Sequence, residues 1–180
     1  ECERGYDDRP PDGTQRACIV PFVDQHERLC ALLDDPRIEG LLSSLLGADF
    51  NYMGSDGNYY VGATGWHSDG WREPGKPLFV KIALYLDPLQ RENGCLRAIP
   101  GSHRKRIAMH DILPNAHSPE IQAIDNLDSP VFMDHPDAID VPLKAGDLII
   151  ADARLLHAAW PNKTAQRRTP VSYTHLRAHE

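Results

Sequence analysis

Apolar residues recur at helical spacing along one stretch of the chain, between Asp35 and Gly47. Asp35-Pro36 offers an N-cap followed by proline at the first helical position, and Gly47 is a natural stop. The apolar positions between them fall three or four residues apart, and they are Ile38, Leu41, Leu42, Leu45 and Leu46. This pattern predicts an amphipathic helix that packs its leucines against the outside of a sheet. A shorter helix is predicted over 24–34.

Beyond Ala48 the pattern changes to short apolar or alternating runs separated by Gly, Pro, Asn and Asp. The predicted strands cover 58–61, 64–69, 78–86, 95–99, 138–143, 147–153 and 154–159. Residues 1–19 are predicted as loop or a weak strand. Many short strands joined by Gly/Pro turns predict a mainly β sandwich or barrel.

The segment over 104–137 has weak periodicity and many prolines and aspartates. A connection of this length is unusual in a compact domain unless it has a function. We predict a lid over the active site, with a plain surface excursion as the alternative. Within it, a short helix is predicted over 121–127.

The most informative polar motif is Gly65-Trp66-His67-Ser68-Asp69-Gly70. Because strand side chains alternate, His67 and Asp69 are predicted to face the same way. His157 lies 90 residues after His67, on a later predicted strand, and can complete a set of two imidazoles and one carboxylate. That is the ligand set of non-haem Fe(II) oxygenases. Arg168, eleven residues after His157, is a fixed cation suited to holding a carboxylate.

Taken in order, these residues resemble the phytanoyl-CoA dioxygenase family of Fe(II)/2-oxoglutarate oxygenases, over about 51–168. The stretches over 81–87 and 92–103 are similar to the family's middle strands and its Pro-Gly-Ser-His turn. The resemblance implies a double-stranded β-helix, a cupin-like jelly roll, with a few flanking helices. A barrel of this kind has a mouth at which strands of both sheets present ligands to one metal.

The resemblance also implies a role for each residue of the motif set. His67, Asp69 and His157 would bind Fe(II), which 2-oxoglutarate would chelate through its keto acid end, and O2 would take the remaining position. Arg168 would bind the distal carboxylate of 2-oxoglutarate. Arg167 competes for that role, because adjacent residues on a strand face opposite ways.

Further residues are expected near the co-substrate. Tyr85 and Lys81 lie on one face of the same predicted strand, with core packing as the alternative for Tyr85. Ala159 stands where some family members carry a hydroxyl residue, so one hydrogen bond to the co-substrate would be lost. Asp69 is present where halogenating relatives carry a small residue, which favours hydroxylation.

Trp66, Trp71 and Arg72 flank the ligand motif. An aromatic ring and a cation beside an iron centre could grip an anionic or planar substrate. The alternatives are barrel packing for Trp66 and an exposed rim for Trp71 and Arg72.

Together these features predict an Fe(II)- and 2-oxoglutarate-dependent dioxygenase that hydroxylates an unidentified small molecule and releases succinate and CO2. A non-catalytic metal- or small-molecule-binding barrel of the same fold is one alternative. A zinc hydrolase is another, although the sequence lacks the His-Glu-x-x-His helix of the common zinc proteases. Nothing resembles a CoA phosphate site, so phytanoyl-CoA itself is not expected as the substrate.

Composition and charge narrow the class of protein. The 180 residues suit one oxygenase domain over 1–180. A net charge of −7 without a basic block argues against a nucleic acid or anionic membrane partner, and no apolar run reaches the length of a membrane span. The four cysteines form no Cys-x-x-Cys and suggest no disulfide framework, so a cytoplasmic location is predicted.

Both ends of the chain look incomplete. It begins at Glu1 in a polar stretch, and the residues over 172–180 resemble a translated sequencing-adapter tail found on environmental reading frames. We expect truncation at both ends, with a non-native tail over 171–180 in place of the true last strand. The oligomeric state is left open by the sequence.

Overall fold

Two antiparallel sheets dominate the structure, a computed structural model that describes residues 4–5, 17–70, 78–113 and 128–177. The strands are β1 (Arg4–Gly5), β2 (Ala17–Ile19), β3 (Phe50–Tyr59), β4 (Thr64–His67), β5 (Phe79–Tyr85), β6 (Leu96–Ala98), β7 (Ile139–Val141), β8 (Leu148–Asp152), β9 (His157–Ala159) and β10 (Pro170–Arg177). The α-helices are α1 (Glu27–Cys30), α2 (Pro36–Leu46) and α3 (Met109–Ile112), and two 3-10 turns cover Val23–Gln25 and Pro130–Phe132. The described chain is mainly β, as the sequence predicts.

The strand order shows how the two sheets form a barrel. One sheet has six strands in the order β1-β2-β3-β10-β5-β8, and the other has four in the order β4-β9-β6-β7. Neighbours in each sheet come from distant parts of the chain, as where β10 lies between β3 and β5. The two sheets are the walls of a double-stranded β-helix, which confirms the predicted fold class.

The space between the sheets holds an apolar core. On β5, Ile82 packs outward beneath α2, whereas Ala83 and Tyr85 belong to the inner cluster with Leu89. Side chains on a strand alternate between its faces, so Lys81 shares the inner face of β5 with Ala83 and Tyr85. On this inner face, β5 therefore carries one cationic side chain, that of Lys81, among side chains that are otherwise apolar.

Helix α2 packs on the outer face of the six-stranded sheet. The Asp35 carboxylate accepts a hydrogen bond from the Arg37 N–H at 2.9 Å, and Gly47, with a φ of 91°, ends the helix, as predicted. Its buried residues are Ile38, Leu42 and Leu46. Leu41 and Leu45 are half exposed, so the buried stripe is narrower than the sequence pattern predicts.

The outer face of the four-stranded sheet carries a separate apolar cluster. Its buried members are Trp66, Ile99, Met109, Leu156 and Ala158. Met109 belongs to α3, and Val131 packs so closely on Gly65 that a Cβ added there would lie 3.1 Å from the valine side chain. Both described ends of the segment over 104–137 thus lie outside the barrel. The helix predicted over 121–127 and most of the predicted lid lie outside the described residues.

The helix predicted over 24–34 is wrong in extent. His26 has extended backbone angles (φ −160°, ψ 142°) and separates the first 3-10 turn from the single turn of α1. Its Nδ1 accepts a hydrogen bond from the Arg28 N–H at 3.1 Å and so caps α1. Among the described residues, no helix combines the length and the apolar character needed to cross a membrane.

The starts of β3 and β9 lie furthest from their predicted positions, and β10 is not among the predicted strands. β3 begins at Phe50, eight residues before the strand predicted over 58–61. β9 begins only at His157, because the residues before it form a turn in which the Leu155 N–H donates to the Asp152 carbonyl. β10 pairs with both β3 and β5, so a strand at this position completes the sheet. The non-native origin of 171–180 stays a prediction.

We expect Leu42→Ala to lower the free energy of unfolding by about 2–5 kcal/mol, because it leaves a cavity between α2 and the sheet. Leu42 is fully buried and Leu41 is 50% exposed, so Leu41→Ala is the matched control and should cost less than about 1 kcal/mol. Equilibrium unfolding in urea, followed by circular dichroism, measures both. Equal losses would show that α2 does not pack as described.

Candidate metal centre

Three side chains that can ligate a metal meet where β4 and β9 pair. His67 lies directly opposite His157 in this antiparallel pair, so both imidazoles are on one face, with ring centroids 4.2 Å apart. Asp69 Oδ1 lies 3.9 Å from His67 Nε2, and Asp69 Oδ2 lies 3.4 Å from His157 Nε2. One ligating atom from each of the three falls within 4.8 Å of the others. A single metal ion could contact all three.

A β-bulge brings the two histidines opposite each other. Thr64 pairs with Ala159, and His67 pairs with His157, so β4 takes three steps where β9 takes two. Without the extra residue, Trp66 would stand opposite His157 instead. Bulges of this kind re-aim side chains beside active sites.

Backbone carbonyls fix both histidines in the tautomer that metal binding requires. His67 Nδ1 lies 2.8 Å from the Gly65 carbonyl oxygen, and His157 Nδ1 lies 2.9 Å from the Leu155 carbonyl oxygen. A carbonyl only accepts, so Nδ1 carries the proton in each ring and Nε2 keeps its lone pair. Each bond reaches a carbonyl two residues earlier, so the local backbone orients both rings before any metal binds.

Asp69 lies just beyond the end of β4, whereas the sequence pattern predicts a strand over 64–69. Its N–H and that of Gly70 both donate to the Ala153 carbonyl at 2.8 Å. A Cβ added to Gly70 would lie 3.1 Å from the Ala153 backbone, so this close approach favours glycine. The turn that precedes β9 therefore holds the carboxylate beside the histidines.

The protonation states of the centre suit a cation. Burial, reinforced by repulsion from His157, lowers the pKa of His67 to about 4, so this imidazole is neutral at pH 7. Burial raises the pKa of Asp69, but attraction to His157, Lys81 and His67 outweighs it and holds that pKa well below its ordinary value. Asp69 is therefore a carboxylate anion at neutral pH.

Lys81 pairs with the carboxylate of Asp69, a candidate metal ligand. Its Nζ lies 3.0 Å from Asp69 Oδ2, and 32% of its side chain remains exposed. The sequence pattern places Lys81 near the co-substrate, whereas the structure places its ammonium on Asp69. A contact between Lys81 and 2-oxoglutarate stays a prediction.

Arg168 is buried inside the barrel, with 2% of its surface exposed, and Arg167 is exposed. Arg168 Nη1 donates to the Gly94 carbonyl at 3.1 Å and to the Trp160 carbonyl at 3.2 Å. The guanidinium carbon lies 4.9 Å from the centroid of the Tyr60 ring. Of the two adjacent arginines, Arg168 is the one that points inward.

The Tyr85 hydroxyl lies close enough to the Arg168 guanidinium for the two groups to interact electrostatically. Burial and the neighbouring Tyr60 hydroxyl raise the pKa of Tyr85 above its ordinary value, and Arg168 opposes them. The Tyr85 phenol is therefore protonated at neutral pH and able to donate a hydrogen bond. Its role toward the co-substrate stays a prediction.

Gly94 and Tyr60 contact Arg168, and sequence reasoning did not assign them to the site. Gly94 has a φ of +92°, and a Cβ added there would lie 2.8 Å from Arg168 Nη1. Asn93 shapes the same turn, because its Oδ1 accepts a hydrogen bond from the Gln90 N–H at 2.6 Å. The Asn-Gly pair signals the turn in the sequence, but no local signal reports a contact with an arginine 74 positions away.

Ser102, in the Pro-Gly-Ser-His turn, braces the chain just before His157. Its buried Oγ accepts a hydrogen bond from the Leu156 N–H at 2.9 Å. The Ile99 N–H donates to the Leu156 carbonyl at 3.0 Å. These bonds fix the peptide that follows Leu155, whose carbonyl orients the His157 ring.

Trp66 is the described member of the three predicted substrate contacts. It has no exposed surface, and its indole N–H donates to the Met133 carbonyl at 2.8 Å on the outer face of the sheet. A side chain that is inaccessible and turned away from His67 cannot contact a substrate there, so the structure favours barrel packing. Trp71 and Arg72 lie outside the described residues.

The donor set fits the predicted metal. Two imidazole nitrogens and one carboxylate are the facial ligands of non-haem Fe(II) and leave other coordination positions open. His67 and His157 would bind through Nε2, and Asp69 through a carboxylate oxygen. The carbonyl partners of both Nδ1 atoms are the outer contacts that metal-binding histidines usually have.

Comparison with known proteins agrees with this geometry. The phytanoyl-CoA dioxygenase (PhyH) family profile matches residues 9–169. The chain belongs to this family. It is 27% identical to dioxygenase lolE1 of Epichloe uncinata over 122 residues (59% of this chain, 43% of that protein). It is 27% identical to the ectoine dioxygenase of Sphingopyxis alaskensis over 169 residues (86% of this chain, 55% of that protein). This PhyH chain spans about half the length of the curated relatives it matches.

Solved structures show the same fold. HygX from Streptomyces hygroscopicus, with nickel, 2-oxoglutarate and hygromycin B bound, superposes with a TM-score of 0.70 at 16% identity, over 94% of this chain and 73% of that one. The 2-oxoglutarate-dependent carbocyclase SnoK from nogalamycin biosynthesis gives a TM-score of 0.66 at 24% identity, over 91% and 65%. At these identities the likeness establishes the shared jelly roll.

We expect Gly94→Ala to destabilise the protein more than Gly146→Ala, by about 1–3 kcal/mol. Both glycines have positive φ, +92° and +88°, so alanine is strained at either position. Only at Gly94 does the new Cβ also clash with Arg168. Gly146 has nothing within 4 Å of the added atom. Thermal and urea unfolding of both variants measure the difference. Equal losses would mean that Gly94 and Arg168 are not in contact.

Proposed function

We propose that this chain is an Fe(II)- and 2-oxoglutarate-dependent dioxygenase that hydroxylates a small molecule and releases succinate and CO2. The observation that carries the proposal is the convergence of His67, Asp69 and His157, within 4.8 Å, in a barrel that also buries Arg168. Membership of the PhyH family supports it, as do neighbours of the same fold with iron or with 2-oxoglutarate bound.

The three ligating residues prepare the site for the metal. His67 and His157 present Nε2 lone pairs that the backbone has already oriented, and Asp69 supplies the anionic donor. When bound, Fe(II) would supply the activation of O2 that couples oxidation of 2-oxoglutarate to hydroxylation of a C–H bond. The preset ring orientations limit the reorganisation that metal binding requires.

Arg168 is the residue suited to the distal carboxylate of 2-oxoglutarate. The Gly94 and Trp160 carbonyls hold Nη1 and so set the plane of the guanidinium. Tyr85 lies near it, four residues along β5 from Lys81, which is a separation of about 13 Å on an extended strand. That length leaves room for 2-oxoglutarate between the metal centre and Arg168.

The apolar interior gives the co-substrate a dry site. Tyr85, Leu89, Cys95 and Leu143 form its buried lining between the sheets. In such surroundings a fixed cation binds a carboxylate more strongly than it does in water. Among the described residues, Cys30 and Cys95 form no disulfide, which supports our further proposal of a cytoplasmic location.

The purified protein should form succinate from 2-oxoglutarate in an Fe(II)-dependent reaction, slowly without substrate and faster with it. His67→Ala and Asp69→Ala should reduce succinate formation to background, because each removes a metal ligand. His135→Ala, in the turn before β7, is the control and should leave the rate unchanged. Succinate is measured by mass spectrometry. Undiminished turnover in both ligand variants would contradict this assignment and the proposed reaction.

Arg168→Met should weaken 2-oxoglutarate binding by about 2–5 kcal/mol, because it removes the buried partner of a carboxylate. Arg167→Met removes an exposed guanidinium one residue away and should have no effect. Isothermal titration of both variants loaded with Ni(II), a redox-inert substitute, gives the dissociation constants. A larger loss in Arg167→Met would reverse the assignment.

A further inference from the structure

A cavity of about 370 Å³ opens beside the metal centre. Asp69 and Lys81 line it, together with apolar residues that include Met53 and Phe79. Asp69 is a candidate metal ligand, so a molecule in this cavity would lie next to the metal. The proposed function assigns no residue to the substrate, and this cavity has the position and the size for one.

The cavity extends along the inner face of the six-stranded sheet from Phe79 past Lys81 to the level of Ala83, because Ser172 lines it and pairs with Ala83. On the inner face of β5 the residues run Phe79, Lys81, Ala83, Tyr85, and Tyr85 is the one near Arg168. Lys81 reaches Asp69 at the metal centre, and Phe79 lies further away in the cavity wall. Neither Tyr85 nor Arg168 is among the described residues that line the cavity, so along β5 the cavity stops short of Arg168.

Lys81 brings spare hydrogen-bonding capacity to this cavity. An ammonium group has three N–H donors and no acceptor. Within 17–70, 78–113 and 128–177, Asp69 Oδ2 is the one group with which Lys81 forms an ion pair. The side chain is 32% exposed, and the cavity is the space that it faces. Two N–H donors are thus available to a ligand beside the metal.

Lys81 is the cationic residue in the described lining of the cavity, which also contains the carboxylates of Asp69 and Asp56. Asp56 lies on β3, two strands away from Lys81 across β10. Ser172 Oγ donates to Asp56 Oδ1 at 2.6 Å. A negative group on a ligand is attracted to the Lys81 ammonium. Bound metal would draw the charge of Asp69 to itself and leave more of the Lys81 charge for the ligand.

Apolar residues line much of the rest of the cavity, and Ser55, Ser172 and Thr174 add hydroxyl groups. Met53 and Val20 are largely exposed at its edge, and Phe79 is buried in its wall. Large apolar side chains at a concave, partly open surface are typical of a ligand site. The cavity therefore combines one cationic position near the metal with an apolar rim.

We propose that the substrate is a small organic acid whose carboxylate binds Lys81 beside the metal centre. This inference rests on the proposed function and deepens it. Lys81 would hold Asp69 through one N–H and the substrate carboxylate through the others, so one residue would position the metal ligand and the substrate together.

Matched acids and amides test the charge preference without knowledge of the natural substrate. The probes are hexanoate against hexanamide and phenylacetate against phenylacetamide, added to protein saturated with Ni(II) and 2-oxoglutarate. Ligand-observed NMR and calorimetry give the dissociation constants. Each acid should bind about tenfold or more tightly than its amide, because the charge-assisted hydrogen bond is lost in the amide.

Variants show which residue causes the preference for acids over amides. Lys81→Met should abolish it, and Lys81→Arg should retain it. Lys144→Met, at an exposed lysine, should leave it unchanged. Lys81→Gln removes the charge but keeps N–H donors, so it should also abolish the preference, and the test does not depend on Lys81→Met alone remaining folded. No preference in the unaltered protein, or a preference that survives in Lys81→Met, would overturn the inference.

Two controls separate this inference from the proposed function. Binding of 2-oxoglutarate to the Ni(II)-loaded protein is measured first, and its absence would refute the proposed function itself. If 2-oxoglutarate binds but acids and amides bind alike, only the role of Lys81 fails. Bound 2-oxoglutarate must also stay in place when the acid is added. An acid that displaces it binds at the metal or Arg168 and counts against the inference.

Discussion

The direct pairing of His67 with His157 across β4 and β9 is the constraint on which the metal centre depends. Strand side chains alternate with a period of two, so a slip of one residue would turn one imidazole to the outer face. The bulge in β4 sets this register, and Ser102 holds the chain just before β9. The Ala153 carbonyl then brings the Asp69 backbone against the same turn. The positions of all three candidate ligands thus depend on two short strands and the turn that supports them.

The inner face of β5 borders two different chemical environments in the interior of the barrel. At one end Tyr85 lies near Arg168, whose guanidinium is held by backbone carbonyls in apolar surroundings. Toward the other end Lys81 contacts Asp69 and faces a partly open cavity. Under the two proposals, the co-substrate binds in the first and the substrate in the second. Asp69 links them, because its carboxylate contacts both histidines and the lysine.

The sequence patterns predicted features that depend on neighbouring residues, such as the ends of a helix. They missed features that depend on contacts between distant parts of the chain. The N-cap and the terminal glycine located α2, but spacing alone could not tell that Leu41 is exposed while Leu42 is buried. Ordered motifs predicted the three candidate ligands that the structure brings together. The alternation of strand side chains, extended to the residue before His67, would also have placed Trp66 on the outer face. The contact between Gly94 and Arg168 had no local signal, because it joins two separate turns of the barrel.

The most direct test of the central claim is an anaerobic titration of the protein with Fe(II) and 2-oxoglutarate, followed by visible absorption. If His67, Asp69 and His157 form one iron site that 2-oxoglutarate chelates, a weak metal-to-ligand charge-transfer band should appear only when both are present. It should saturate at one iron per chain and be absent from His157→Ala. Iron binding without the band, or a band that survives in His157→Ala, would contradict the claim.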